Sequence, residues 1–112
     1  MEFTLSDGHA TIVLRESVNT SATAGLLVSS YIAFAKTLGF NQTVHVYVHK
    51  EVDIPLRTMM SIYAAVRNIK HVHASVTHMI LHIANDFTVR CCNQLFAIFP
   101  PSIKVSLEAW NS

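Results

Sequence analysis

Seven histidines are the residues of this chain best suited to chemistry: His9, His45, His49, His71, His73, His78 and His82. An imidazole can ligate a metal, pass a proton or change its charge near neutral pH. His45 and His49 stand four residues apart in a run of alternating apolar residues, and so do His78 and His82. On a β-strand that spacing is roughly 13 Å, too far for two ligands of one ion. A metal would need a pair from two strands, such as His45 with His78 or His49 with His82, and a third ligand besides. The plainer reading is that an amphipathic ring suits a sheet face that is half covered, and no metal or cofactor is expected. Histidine ordinarily titrates near about 6.5, so an interface built on such a face is expected to weaken on acidification. His71-Val72-His73 precedes the second histidine-bearing strand and reads as a solvated loop.

The other reactive residues form no catalytic set. Cys91 and Cys92 are the only cysteines, and adjacent cysteines rarely bridge each other. They match no zinc or redox spacing and read as two reduced thiols on a helix flank, which points to the cytoplasm. A thiol near a helix start can be an activated nucleophile, but no base can be assigned to it. Asp53 and Asp86 are read as helix caps, ahead of a carboxylate pair with Glu51. Gly8, Gly25 and Gly39 make no phosphate-cradling loop. With no nucleophile, base and orienting group in reach of one another, a non-enzyme is expected.

Composition narrows the class further. The chain has 112 residues, the size of a single domain spanning 1–112. It is 51% hydrophobic and 13% charged, the reverse of a disordered chain. The low charge suggests a surface partly covered by a second copy or a partner. The formal net charge is +1 and the cations are scattered, so no nucleic-acid footprint is visible. No apolar run reaches the ~18 residues of a membrane span, and Met1 to Leu5 lacks the pattern of a secretory leader.

Positioning these residues requires alternating strands and helices. Phe3 to Leu5 and Ala10 to Leu14 flank Asp7-Gly8, a tight-turn dipeptide, with Leu5, Ile12 and Leu14 expected to face inward. A helix follows, capped by Asn19, Thr20 or Ser21 and ended by Gly39, with Leu27, Tyr31, Phe34 and Leu38 on one stripe. Gly25 would let that helix lie close to the sheet. Thr43 to His49 is a strand. Asp53 caps a helix that has Pro55 in its first turn and runs through Met59, Met60, Tyr63 and Val66 to about Lys70. Thr77 to Ala84 is the next strand. Asn85 or Asp86 caps a helix with Val89, Cys92, Leu95, Phe96 and Phe99 on its stripe, stopped by Pro100-Pro101. Ile103 to Glu108 is the last strand. The expected fold is α/β in the order β-β-α-β-α-β-α-β, with a mostly parallel sheet of four to five strands opened by a hairpin. Each strand has one apolar side and one mixed side, so the helices should pack mainly on one face, unlike a doubly wound sheet.

That layout, from Phe3 to Leu107, resembles the STAS domain (sulfate transporter and anti-sigma factor antagonist) and the related CRAL-TRIO lipid carriers. The resemblance implies a regulatory, protein-binding role. Antagonists of the STAS type carry a phosphorylatable serine just after an aspartate. Asp53 matches the aspartate, but Ile54 and Pro55 stand where the serine and its neighbours would be, so the phosphoswitch does not carry over. CRAL-TRIO carriers are longer, leaving little chain here to enclose a large ligand.

The expected function is a non-catalytic, self-associating interaction or regulatory module of STAS-like type, without the phosphorylatable serine of the antagonists. Its interface would comprise Val13, His45, Tyr47, His49, His78, Ile80 and His82, and its partner would be a second copy or another protein. The alternative is a small-molecule or lipid-binding domain, with Tyr31, Met59, Met60, Tyr63 and Phe96 as pocket walls. Trp110 reads as an apolar plug that could fold across the mixed face.

Overall fold

A computed structural model describes residues 1–6 and 8–111, without the side chains of Lys70, His71 and His73. Asp7 of the expected turn lies outside the described residues, and the side chains of His71 and His73 do too. Strands β1 (Glu2–Ser6) and β2 (His9–Leu14) form the antiparallel hairpin, with Ser6 paired to His9. Gly8 has φ 79, a left-handed conformation that costs glycine nothing. Ile12 and Leu14 are buried as expected, but Leu5 is 49% exposed. On this outer strand the helix cover goes to Phe3 instead, whose ring lies 5.3 Å from that of Phe34.

Helix α1 (Ser21–Lys36) is capped by Thr20, whose side chain accepts from the Thr23 N–H while the Thr23 hydroxyl oxygen accepts from the Thr20 N–H. It buries Tyr31 and Ala35, with Leu27 and Phe34 half-buried beside them. Gly39 does not end it. The helix stops at Thr37 in right-handed conformation, and the turn into β3 (Gln42–Val48) is made by Asn41 at φ 59, a residue that tolerates this region. Gly25 faces outward: a Cβ built there meets nothing within 4 Å, so it is not a packing device.

Helix α2 (Leu56–Arg67) begins after Pro55, whose ring supplies no side-chain cap. Asp53 is not the cap either. Its N–H donates to Ser17 Oγ (2.8 Å) and its carbonyl accepts from Val18 N–H (3.0 Å), joining the loops after β2 and β3. The stretch expected as a loop forms a short helix, α3 (Lys70–Ser75), because Val72 is fully buried under it. Strand β4 (Val76–Ile83) follows, then α4 (Asp86–Ile98), with Asn85 accepting from the N–H groups of Phe87 and Thr88. Phe99 falls beyond the end of α4 and is 43% exposed, so it drops off the apolar stripe. Strand β5 (Lys104–Ala109) closes the order.

The five strands lie side by side as β1-β2-β3-β4-β5, antiparallel only between β1 and β2. Each parallel crossover steps one strand onward in the same direction, and crossovers of one hand then deliver their helices to one face. The side chains agree: residues of α1, α2 and α4 meet Ile12, Leu14, Val46, Val48, Leu81 and Ile83 in one layer. No helix of the described residues is long and apolar enough to cross a membrane.

Candidate functional site

The register sets out the opposite face as a grid. Ala10, Ile12, Leu14, Val44, Val46 and Val48 are buried under the helices, so their neighbours along each strand point away. One row across the sheet reads Glu2, Val13, Tyr47, His82, Glu108, and the next reads Thr4, Thr11, His45, Ile80, Ser106. A third brings Thr43, His78 and Lys104 together. Six of the seven expected interface residues stand on this face. The seventh, His49, lies just past β3 and reaches the face by its contact with Trp110.

One histidine pair forms across strands among the described residues, and it is neither of the two a metal site would need. His45 sits opposite Ile80 and His82 opposite Tyr47, so none of these histidines is directly opposite another, and His78 turns to Ser106. Instead His45 and His82 meet on the diagonal, Nδ1 to Nε2 at 3.0 Å. Glu108 Oε2 lies 3.5 Å from the other nitrogen of His82. A carboxylate there favours the proton on His82 Nδ1, which leaves Nε2 to accept from the His45 Nδ1–H. The three side chains thus form a polar line across β3, β4 and β5. The His82 ring also stacks on Tyr47 at 4.3 Å and 8°. His78 Nε2 bonds Ser106 Oγ at 3.0 Å, and His49 Nδ1 stands 4.0 Å from Glu51. Among the described residues, no group of three His, Cys, Asp or Glu side chains could hold a metal ion.

Trp110 folds onto this face from beyond β5. Its ring meets Tyr47 and His49 edge-on at 5.2 Å and 4.9 Å. Glu108, Ser106 and Lys104 complete the grid and were not among the expected interface residues. Their alternation with Val105 and Leu107 signalled a mixed side, but only the β4–β5 register puts them beside His82, Ile80 and His78. The arrangement ties His45, His82 and Glu108 to one another through the middle of the face and leaves Val13, Tyr47 and Ile80 half-buried among them. No family model, curated protein or solved structure matches the chain.

The expected pocket residues divide. Tyr31, Met59, Tyr63 and Phe96 line a cavity between helices and sheet, whereas Met60 is 45% exposed and faces outward. Adjacent residues on a helix point about 100° apart, and Met59 takes the inward position. Tyr63 and Phe96 bring α2 and α4 together with rings 5.2 Å apart, and Cys92 Sγ lies 3.7 Å from Met59 Sδ. Burial pushes the Cys92 thiol up to about 11, with the neighbouring Cys91 adding to the rise. A thiol so held is a poor nucleophile.

Proposed function

We propose that the chain is a protein-interaction module of STAS-like type that associates with a second copy of itself through the open sheet face. The carrying observation is the face away from the helices, where apolar Val13, Tyr47 and Ile80 alternate with His45, His82 and Ser106. Such a composition suits the core and rim of an interface. Five strands at about 4.8 Å and six residues at about 3.3 Å give a footprint of about 500 Å² per copy. Two copies would bury on the order of 1,000 Å², the lower bound for a specific contact.

Charge placement favours a second copy and one orientation of it. Along β5, Lys104 lies at one end of the face and Glu108 at the other. A two-fold axis running across the strands sets β5 against β5 in reverse, so each Lys104 meets the partner's Glu108. An axis along the strands would lay the Glu108 edge over the Glu2 edge, acid upon acid. The element order supports the STAS-like part of the reading, and two buried free thiols suit a cytoplasmic protein.

Light scattering behind size exclusion near neutral pH tests this directly. The expected mass is twice 12.5 kDa, falling to 12.5 kDa for Tyr47→Asp. Lys104→Glu should weaken the dimer, and adding Glu108→Lys should restore it. A monomeric wild-type protein would sink the reading. A dimer indifferent to the charge swap would sink only the orientation.

A further inference from the structure

Position in the fold sorts charges that look scattered along the chain. The parallel strands all begin at one end of the sheet, and α1, α2 and α4 all finish there. Lys36 and Arg67 stand in the last turns of α1 and α2, Lys70 opens α3 and Lys104 opens β5. Half of the eight lysines and arginines therefore gather at this end. Glu16, Glu51, Asp53, Asp86 and Glu108 follow or finish strands at the opposite end, and Glu2 pairs with Val13 there. The remaining acid, Asp7, lies outside the described residues.

The same basic end leaves bulky apolar side chains in the open. Phe40, in the turn from α1 to β3, is 77% exposed, and Ile98, at the end of α4, is 69% exposed; these are the two most open large apolar residues among those described. Phe99 is exposed beside Ile98, with the Arg67 guanidinium 5.9 Å from its ring centre. Backbone contacts hold the pieces in place. The Tyr63 hydroxyl donates to the Phe99 carbonyl at 2.7 Å, the Ser102 hydroxyl to that of Arg67, and the Asn41 N–H to that of Ala74 in α3.

Lys36 and Arg67 alone would be the usual complement of helix C-termini, and a single exposed apolar residue is ordinary. Cations interleaved with open apolar side chains, away from the carboxylates, are a different matter. That composition suits an anionic bilayer, where apolar groups enter the headgroup region and cations meet the lipid charges. Ile98 has no ring to stack on a base, so the patch fits a bilayer better than a single-stranded nucleic acid. Leu56 and Phe87 are exposed too, but at the end where Glu51, Asp53 and Asp86 stand. We propose that the basic end of the molecule docks reversibly on an anionic lipid bilayer, with Phe40, Ile98 and Phe99 entering the interface and Lys36 and Arg67 held against the headgroups. Apart from Lys104, this patch lies off the face proposed for self-association, so either proposal can fail without the other.

The test is flotation of the full chain with vesicles of phosphatidylcholine alone and of phosphatidylcholine mixed with phosphatidylserine. The protein should float with the mixed vesicles only, and raised salt should release it. Phe40→Ser should weaken the partition about ten-fold and Lys36→Gln about five-fold. Both side chains are exposed, so both variants keep the fold. Phe87→Ser, at the opposite end, should change nothing. Failure to float with the mixed vesicles, equal binding to both kinds, or an equal loss for Phe87→Ser would each overturn the proposal. Binding of a single-stranded oligonucleotide in place of vesicles would give the patch to a nucleic acid and overturn it as well. So would a mass above that of a dimer which Phe40→Ser reduces, since a second copy would then be the occupant.

Discussion

Individual side chains here are governed by what their environment denies them. Cys92 is the sharpest case, since its thiol is raised from 9.0 to about 11 by burial among apolar groups. Between those values the unfolded chain releases the proton and the folded chain keeps it, so rising pH favours unfolding. Stability attributable to this thiol is intact below about pH 9 and falls by roughly 2–3 kcal/mol by about pH 11. Urea denaturation of wild type and Cys92→Ala across that range should show wild type losing ground to the variant. A constant difference would mean the thiol ionises freely in the folded protein. The histidines illustrate the same dependence on surroundings. Their type and alternation were legible, but whether each meets a metal, a carboxylate or another imidazole was not. His82 meets Glu108 and His45 because three strands stand in one particular register.

At the scale of elements, local signals were read well at some helix termini and poorly at others. Thr20 and Asn85 cap α1 and α4 with side-chain oxygens, as their residue types suggest. Asp53 is drawn off by the Ser17–Val18 loop and the His71-Val72-His73 stretch by the burial of Val72, while Gly39 lies beyond an end already made at Thr37. The first helix offers a paired test. Thr20→Ala breaks the reciprocal cap and should cost about 1 kcal/mol of stability. Gly25→Ala places a methyl in open space in mid-helix and should add about 0.5–1 kcal/mol. Thermal melts of the two variants should therefore move in opposite directions. A fall in melting temperature for Gly25→Ala would mean that something covers that helix face in solution.

The whole molecule is a sheet with its helices on one side and the histidine-bearing face on the other. If two copies share the open face, folding and association are linked, and the melting temperature should rise with protein concentration. Tyr47→Asp should abolish that dependence and leave a monomer melting at a temperature independent of concentration. Differential scanning calorimetry over a hundred-fold range of concentration measures both. A wild-type melting temperature flat over that range would count against self-association at those concentrations.

The sequence by itself determined the class of fold, the one-sided strands and most of the residues on the mixed face. These follow from local periodicity: alternation of two along a strand, apolar stripes along helices, and turn and cap residues between them. Tertiary structure alone decided that Glu108 and Trp110 meet Tyr47 and the histidines, that Met60 leaves the pocket and that the Tyr31 hydroxyl is buried without a hydrogen-bond partner among the described residues. Each of these depends on strand register or on how helices from distant parts of the chain stand over the sheet. Periodicity tells a side chain which way to point, but only the packed chain decides what it will meet there.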